Sequence, residues 1–272
     1  LVKANAENQM DADIELTQKF PYNEMAKNGW VPITRKPKEK AVSLRKFFEV
    51  IQLSLLQQES LLPNVACRRL SITEKSDYAL IAWAQKARLE ARSIDTQPID
   101  LKSLDAILPQ IRAMTTADPK DFCPKLTNLL ANCGVAIVYL PHIKGSFLHG
   151  ATFIDGDKIV VGLTVRGKDA DKFWFSLFHE LAHILLGHCG KINGTTDDDE
   201  SKADEFAMQT LIPKAQFEYF IERNDFERES IVQFAKSIDI DTGIVVGRLQ
   251  KEGYIDYSWY HELKTKYAIS AN

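Results

Sequence analysis

An α+β chain, mainly helical in its first half and built around a small sheet in its second, is predicted by three observations. Apolar residues recur at helical spacing through most of the first 133 positions. Three short runs rich in β-branched residues then follow between positions 134 and 165, the last two joined by Asp155, Gly156 and Asp157, which is hairpin chemistry. Directly after them stands a densely apolar, proline-free segment, Asp171 to His188, that holds the spacing His179-Glu180-x-x-His183. With 272 residues, 45% hydrophobic and 26% charged, the chain has room for one substantial domain and a smaller region. The change of pattern sets the expected boundary: residues 1–133 form a helical linker or docking region, and residues 134–272 a second domain whose part from about 215 to 272 is helical.

Residues 1–60 read as helical, linker-like pieces cut by Pro21, Pro32 and Pro37. The best-defined helix runs from Glu39 to Leu56, with Leu44, Phe47, Phe48, Ile51 and Leu55 on one side. A second long helix spans 71–95, opened by the capping-box pattern from Ser71 to Glu74 and carrying Tyr78, Ile81, Trp83 and Leu89. Residues 99–114 and 119–132 supply two more, the last closed by Gly134. The expected strands are Gly134 to Pro141, Gly150 to Ile154 and Lys158 to Val165. Near the end, 227–236 and 242–251 are two short helices with a tight connection, outwardly like a helix-turn-helix. Ile231, Phe234, Ile244, Val245 and Leu249 read there as packing residues. Only Arg248 and Lys251 are offered to a phosphate backbone, so direct DNA contact by this chain is not expected.

A net charge of −3 and a pI near 6.1 make no electrostatic case for nucleic acid or an anionic membrane. Cys67, Cys123, Cys133 and Cys189 lack CxxC spacing and fit reduced thiols. No apolar run approaches the roughly 20 residues of a membrane span, and no signal peptide opens the chain. The expected location is the cytoplasm.

The chemistry lies in the segment around Phe178. On a helix His179 and His183 stand four residues and roughly 40° apart, so both imidazoles face one point. Two neutral imidazoles suit a divalent ion, best Zn²⁺, and Glu180 can hold a water as general base without being a ligand. Leu181, Ala182, Ile184, Leu185 and Leu186 are apolar, so the helix is expected to be buried and its polar side chains need partners inside. A small sheet beside such a helix is a zincin-like architecture. Its edge at Gly150 to Ile154 can pair with an extended peptide.

A third ligand is sought among His188, Cys189, Asp197, Asp198, Asp199, Glu200, Asp204 and Glu205. If the helix continued, His188 would project roughly 140° from His183; if Gly187 ends it, the geometry is open. His188 is read as supporting a ligand from behind or as a helix-end partner. Cys189 is set aside, because Leu186 replaces the glycine that a metzincin pattern requires. Read as a helix, residues 200–213 bury Ala203, Phe206, Ala207, Thr210 and Leu211, which turns Glu200 toward the interior and Glu205 to solvent. Asp204, one turn beyond Glu200, can accept the free ring N–H of a ligating histidine. His149, Arg166 and His188 are candidate oxyanion donors, unranked.

These two motifs in order, the run from Phe173 through His188 and then Glu200-x-x-Ala203-Asp204-x-Phe206-Ala207-x-x-x-Leu211-Ile212-Pro213, resemble the ImmA/IrrE metallopeptidases over roughly residues 134–215. The resemblance implies a gluzincin-type site with zinc on His179, His183 and Glu200 and the base role on Glu180. The stretches Phe20 to Trp30 and Thr242 to Gln250 are similar to HigA-type regulators, in which an N-terminal helix-turn-helix, absent from this sequence, precedes a peptidase-like domain. The expected function is a zinc-dependent endopeptidase that cleaves a helix-turn-helix repressor or a related regulatory protein. The alternative is a non-catalytic regulator or antitoxin that uses the same fold for sensing or binding.

Overall fold

The computed structural model describes residues 2–57, 74–144, 149–164, 169–189 and 195–267. Three strands, β1 (Val135–Tyr139), β2 (Gly150–Asp155) and β3 (Lys158–Leu163), form one mixed sheet in the order β1-β3-β2. β1 runs parallel to β3, and β2 antiparallel to it through a two-residue turn, with Asp155 opposite Lys158. Gly156 occupies the left-handed region at φ 65°, which this hairpin turn requires.

Side chains alternate across a strand, and here both faces are covered. Val135, Ile137, Ile159, Val161 and Leu163 point into one apolar core. Ala136, Val138, Ala151, Phe153 and Val160 point into a second. The second core is built by the first part of the chain: α1 (Val2–Thr17), α2 (Tyr22–Lys27), α3 (Pro37–Phe48), a 3-10 turn (Leu53–Gln57) and α4 (Glu74–Ala91). The proline-separated pieces are packed rather than strung out, with Phe20, Tyr22, Met25 and Val31 all buried. Asp13 of α1, itself buried, accepts from Arg45 at 2.5 Å and from the Leu53 backbone at 3.0 Å, which ties three of these pieces together. Trp83 of α4 lies fully buried over Gly162 and donates to the Pro141 carbonyl at 3.2 Å.

Three helices differ from the sequence expectation: the one expected over 71–95 ends at Ala91, its expected start at 71–73 lying outside the described residues, and two others are interrupted. The helix expected from Glu39 to Leu56 stops at Phe48, because Glu49 turns left-handed (φ 57°) and its N–H caps the last turn. That break changes the phase, so Ile51, placed by periodicity on the buried stripe, is 82% exposed. Residues 99–114 are likewise not one helix but α5 (Leu101–Ala106) and α6 (Leu108–Ala113), divided at Ile107 ahead of Pro109. α7 (Pro119–Ala131) follows, and Gly134 then enters β1 at φ 83°, pressed against the Ile99 backbone.

The first core lies between the sheet and α5, α6 and α7 on one side and α8 (Ala170–Leu185), α9 (Asp197–Leu211), α10 (Lys214–Glu222), α11 (Arg228–Ser237) and α12 (Thr242–Lys251) on the other. Arg112 of α6 crosses it, donating to the carbonyls of Leu211 at 2.8 Å and Ile238 at 2.8 Å. Ile231, Ile244, Val245 and Leu249 of α11 and α12 are buried here. Arg248 faces α9, donating to the Ile212 carbonyl at 2.7 Å with its guanidinium 3.8 Å from the centroid of Phe217. Among the described residues no helix is long and apolar enough to cross a membrane.

Candidate metal centre

The site is carried by α8 and α9, which pack side by side. α8 is apolar on nearly all sides, and Phe178, Leu181 and Ala182 are fully buried around the two histidines. Its end is set by Gly187 at φ 71°: the His188 N–H reaches back to the His183 carbonyl at 2.8 Å and the Gly187 N–H to that of Ile184 at 3.1 Å. This closure folds His188 back beneath the helix, where its Nδ1 lies 2.9 Å from Nδ1 of His183. α9 begins with a capping box, Thr196 Oγ1 accepting from Asp199 N and Asp199 Oδ2 from Thr196 N.

His179 Nε2 and His183 Nε2 stand 3.0 Å apart. Glu200 reaches them from the first turn of α9, its Oε2 3.3 Å from His179 Nε2 and its Oε1 3.5 Å from His183 Nε2. Glu200 Oε1 is buried and has no hydrogen-bond partner among the described residues. Two ring nitrogens and a carboxylate with an orphaned oxygen, all within 4.8 Å of one another, are the donor set of a divalent-ion site. Nitrogen and oxygen donors of this kind fit zinc, and His179, His183 and Glu200 are the residues that can hold an ion.

Each of the two histidines is backed by a further polar group. Asp204 Oδ1 lies 2.9 Å from His179 Nδ1, and Lys251 Nζ of α12 lies 3.3 Å from Asp204 Oδ2. Behind His183, His188 continues to Asp199, whose Oδ1 is 3.3 Å from His188 Nε2. Such partners fix which ring nitrogen is left to face an ion. Electrostatics follow the same lines. Burial lowers the His179 pKa, but its bonds to Asp204 and Glu200 outweigh this and push it up to about 10. Burial and the neighbouring His179 charge press His183 down to about 4. Glu200 is pushed up by burial, yet the His179 bond and the two imidazoles hold it below the usual carboxylate range.

Glu180 points the other way, toward the sheet edge. It is 4% exposed, and burial pushes its pKa up to about 7 against the opposing pull of His179 and of Thr152. Thr152 Oγ1 of β2 is 2.5 Å from Glu180 Oε2. Gly150, at the start of the same strand, lies so close that a Cβ there would sit 2.6 Å from Glu180 Oε1.

The geometry therefore brings together His179, Glu180, His183, Glu200, Asp204 and His188. It leaves Asp197, Asp198 and Glu205 exposed at the surface, and Cys189 half-buried without joining the cluster. His149 lies at the start of β2, while Arg166 is outside the described residues, as is Cys67. Sequence reasoning missed Asp199 as the partner of His188 and Thr152 as the partner of Glu180. The capping-box spacing from Thr196 to Asp199 was a usable signal for the first. The second depends on a strand and a helix 28 residues apart meeting in space.

Residues 148–249 match the model of the IrrE N-terminal-like domain, a family of M78 peptidases. No curated protein and no solved structure matches the chain.

Proposed function

From an IrrE N-terminal-like domain over residues 148–249 as the premise, we propose that this protein is a zinc-dependent endopeptidase acting on a regulatory protein, a helix-turn-helix repressor being the class intended. The observation that carries the reading is the convergence of His179, His183 and Glu200 beside a buried carboxylate, Glu180, that belongs to none of the three. A peptidase needs both parts: a triad for the ion and a separate base.

A zinc ion held by the three donors supplies Lewis acidity, polarising a peptide carbonyl and acidifying a water. The rest belongs to the chain. Glu180, poised near neutrality, takes a proton from the attacking water and returns it to the departing amine nitrogen. Thr152 steers that carboxylate by donating to Oε2, leaving Oε1 for the proton. Asp204 and His188 hold the two rings in register. Among the described residues β2 pairs only with β3, which leaves its other side as an edge that an extended peptide backbone could pair with next to Glu180.

The test is Glu180→Gln. This variant should keep the fold and one ion per chain, yet lose at least a hundredfold in cleavage of a helix-turn-helix repressor by the zinc-loaded protein. Stable repressor binding with no cut by either protein would instead support the non-catalytic regulator.

A further inference from the structure

Charge is unevenly spread along this chain. Residues 27–46 hold seven basic side chains and one acid, Glu39, in a chain whose net charge is −3. They cover the end of α2, the irregular link after it and most of α3. Some of this charge is used within the fold. Arg45 pairs with the buried Asp13, and Lys36 takes Glu39, to which Thr34 also donates. Lys40 lies over the Tyr22 ring, 5.1 Å from its centroid. Lys27, Arg35, Lys38 and Lys46 remain, all exposed and with no ion pair among the described residues. Like charges gathered without partners repel one another, and the core beneath, made by Tyr22, Met25, Val31, Leu44 and Phe47, does not need them.

The surface between these cations is apolar. Ile33 is 88% exposed, and Val42 stands at the surface of α3 one turn from both Lys38 and Lys46. Two shallow grooves meet at Ile33 and Thr34. One, of about 420 Å³, runs to Lys38 and Val42 of α3, and the other, of about 430 Å³, to Ala26 and Lys27 of α2. Between the grooves the chain from Ile33 to Arg35, bracketed by Pro32 and Pro37, makes no backbone–backbone hydrogen bond among the described residues.

We propose that this face docks an acidic, extended protein segment, in which an aliphatic side chain flanked by aspartate or glutamate seats beside Ile33 and Val42. Each feature selects part of that description. The free cations call for carboxylates, the apolar centre calls for an aliphatic anchor, and the open main chain from Ile33 to Arg35 can take a partner backbone in the manner of an added strand. Nucleic acid fits less well. A phosphate backbone would engage the cations but leave Ile33 and Val42 in water, and the aromatic rings that could stack a base are withdrawn, Tyr22 being buried and Trp30 lying parallel to Phe47 at 6.4 Å. None of these residues belongs to the metal centre, so the proposal stands apart from the peptidase reading and is tested without turnover.

Fluorescence anisotropy on the full chain provides the test, with labelled probes: a short peptide alternating aspartate with leucine, its analogue with asparagine for aspartate, its analogue with serine for leucine, and a short DNA duplex. The first should bind about tenfold more tightly than either analogue or the duplex, and should weaken as sodium chloride is raised. Arg35→Glu combined with Lys38→Glu should weaken its binding by about tenfold, and Ile33→Ser by about fivefold. Lys120→Glu, at an exposed lysine of α7 that lines neither groove, should leave it unchanged. The substituted side chains are all exposed, so circular dichroism should report an intact fold for every variant. Failure of the acidic peptide to bind, equal binding of its asparagine or serine analogue, tighter binding of the duplex, or patch variants that bind like the wild type would overturn the proposal.

Discussion

Replacing Asp204 by alanine should weaken metal binding by about tenfold while leaving the fold intact. The wild-type carboxylate accepts from His179 Nδ1 at 2.9 Å and is itself paired with Lys251. Its loss removes one charge-assisted hydrogen bond of about 1.5–3 kcal/mol, or about 10- to 150-fold in affinity. The Asp204 side chain is 40% exposed, so solvent screening selects the low end of that range. It also meets the lower bound of the about 10- to 100-fold usual for residues that orient a ligating histidine. Glu200→Ala should cost considerably more, because it removes a donor atom and not its support. Glu205→Ala, on the exposed side of the same helix and bonded to Gln209, should change affinity less than about twofold, the scale of a surface substitution. Competition against a chromogenic chelator at fixed pH and ionic strength measures all three, with circular dichroism as the check on folding. An Asp204 variant indistinguishable from the Glu205 variant, or a Glu200 variant weaker in effect than the Asp204 one, would refute the assignment of donors and supports.

Metal binding should also release a proton. His179, pushed up to about 10 in the metal-free protein, is charged at pH 7 and must become neutral to ligate, whereas His183, at about 4, already is. Affinity should therefore rise about tenfold per pH unit between pH 7 and 9, with about one proton released per ion in calorimetry across buffers of different ionisation enthalpy; a pH-independent affinity would contradict this. Gly150→Ala should leave metal content unchanged but lower cleavage, because the new methyl meets Glu180 Oε1 and forces the carboxylate aside; unaltered kcat/KM would remove Glu180 from the role given to it. Trp83→Ala should destabilise the whole protein by about 3–5 kcal/mol in urea unfolding, since the fully buried ring joins α4 to the sheet that supports β2. A loss confined to the first helices, with the β2 side untouched, would show that the two cores unfold independently.

Much of the site was legible in the chain because its parts are local. The i, i+4 spacing of His179 and His183 puts both rings on one side of any α-helix, and the amphipathic pattern from Ala203 to Leu211 turns Glu200 inward without reference to the rest of the molecule. The hairpin at Gly156 is equally local, and the three strands formed within a residue or two of where β-branched residues cluster. Boundaries failed where a single backbone dihedral decides. Nothing in the apolar pattern from Glu39 to Leu56 announces that Glu49, an ordinary helix former, will turn left-handed and put Ile51 in solvent.

What only the tertiary structure decided is which distant groups meet. Periodicity says that a side chain is buried but not against what, because burial is a property of the face and a partner is a property of the assembled fold. Thr152 reaches Glu180 only when β2 lies along α8, and Asp171 meets Lys264 only when the chain after α12 returns across the start of that helix. His188 shows the division within one residue. Gly187 offers a helix end that any reader of the chain can mark, but the nearness of His188 to both His183 and Asp199 also requires α9 to bring its capping box up against the turn. A polar group buried inside a protein is stable only with its partners in place, and those partners arrive from elements that the linear pattern leaves unordered in space.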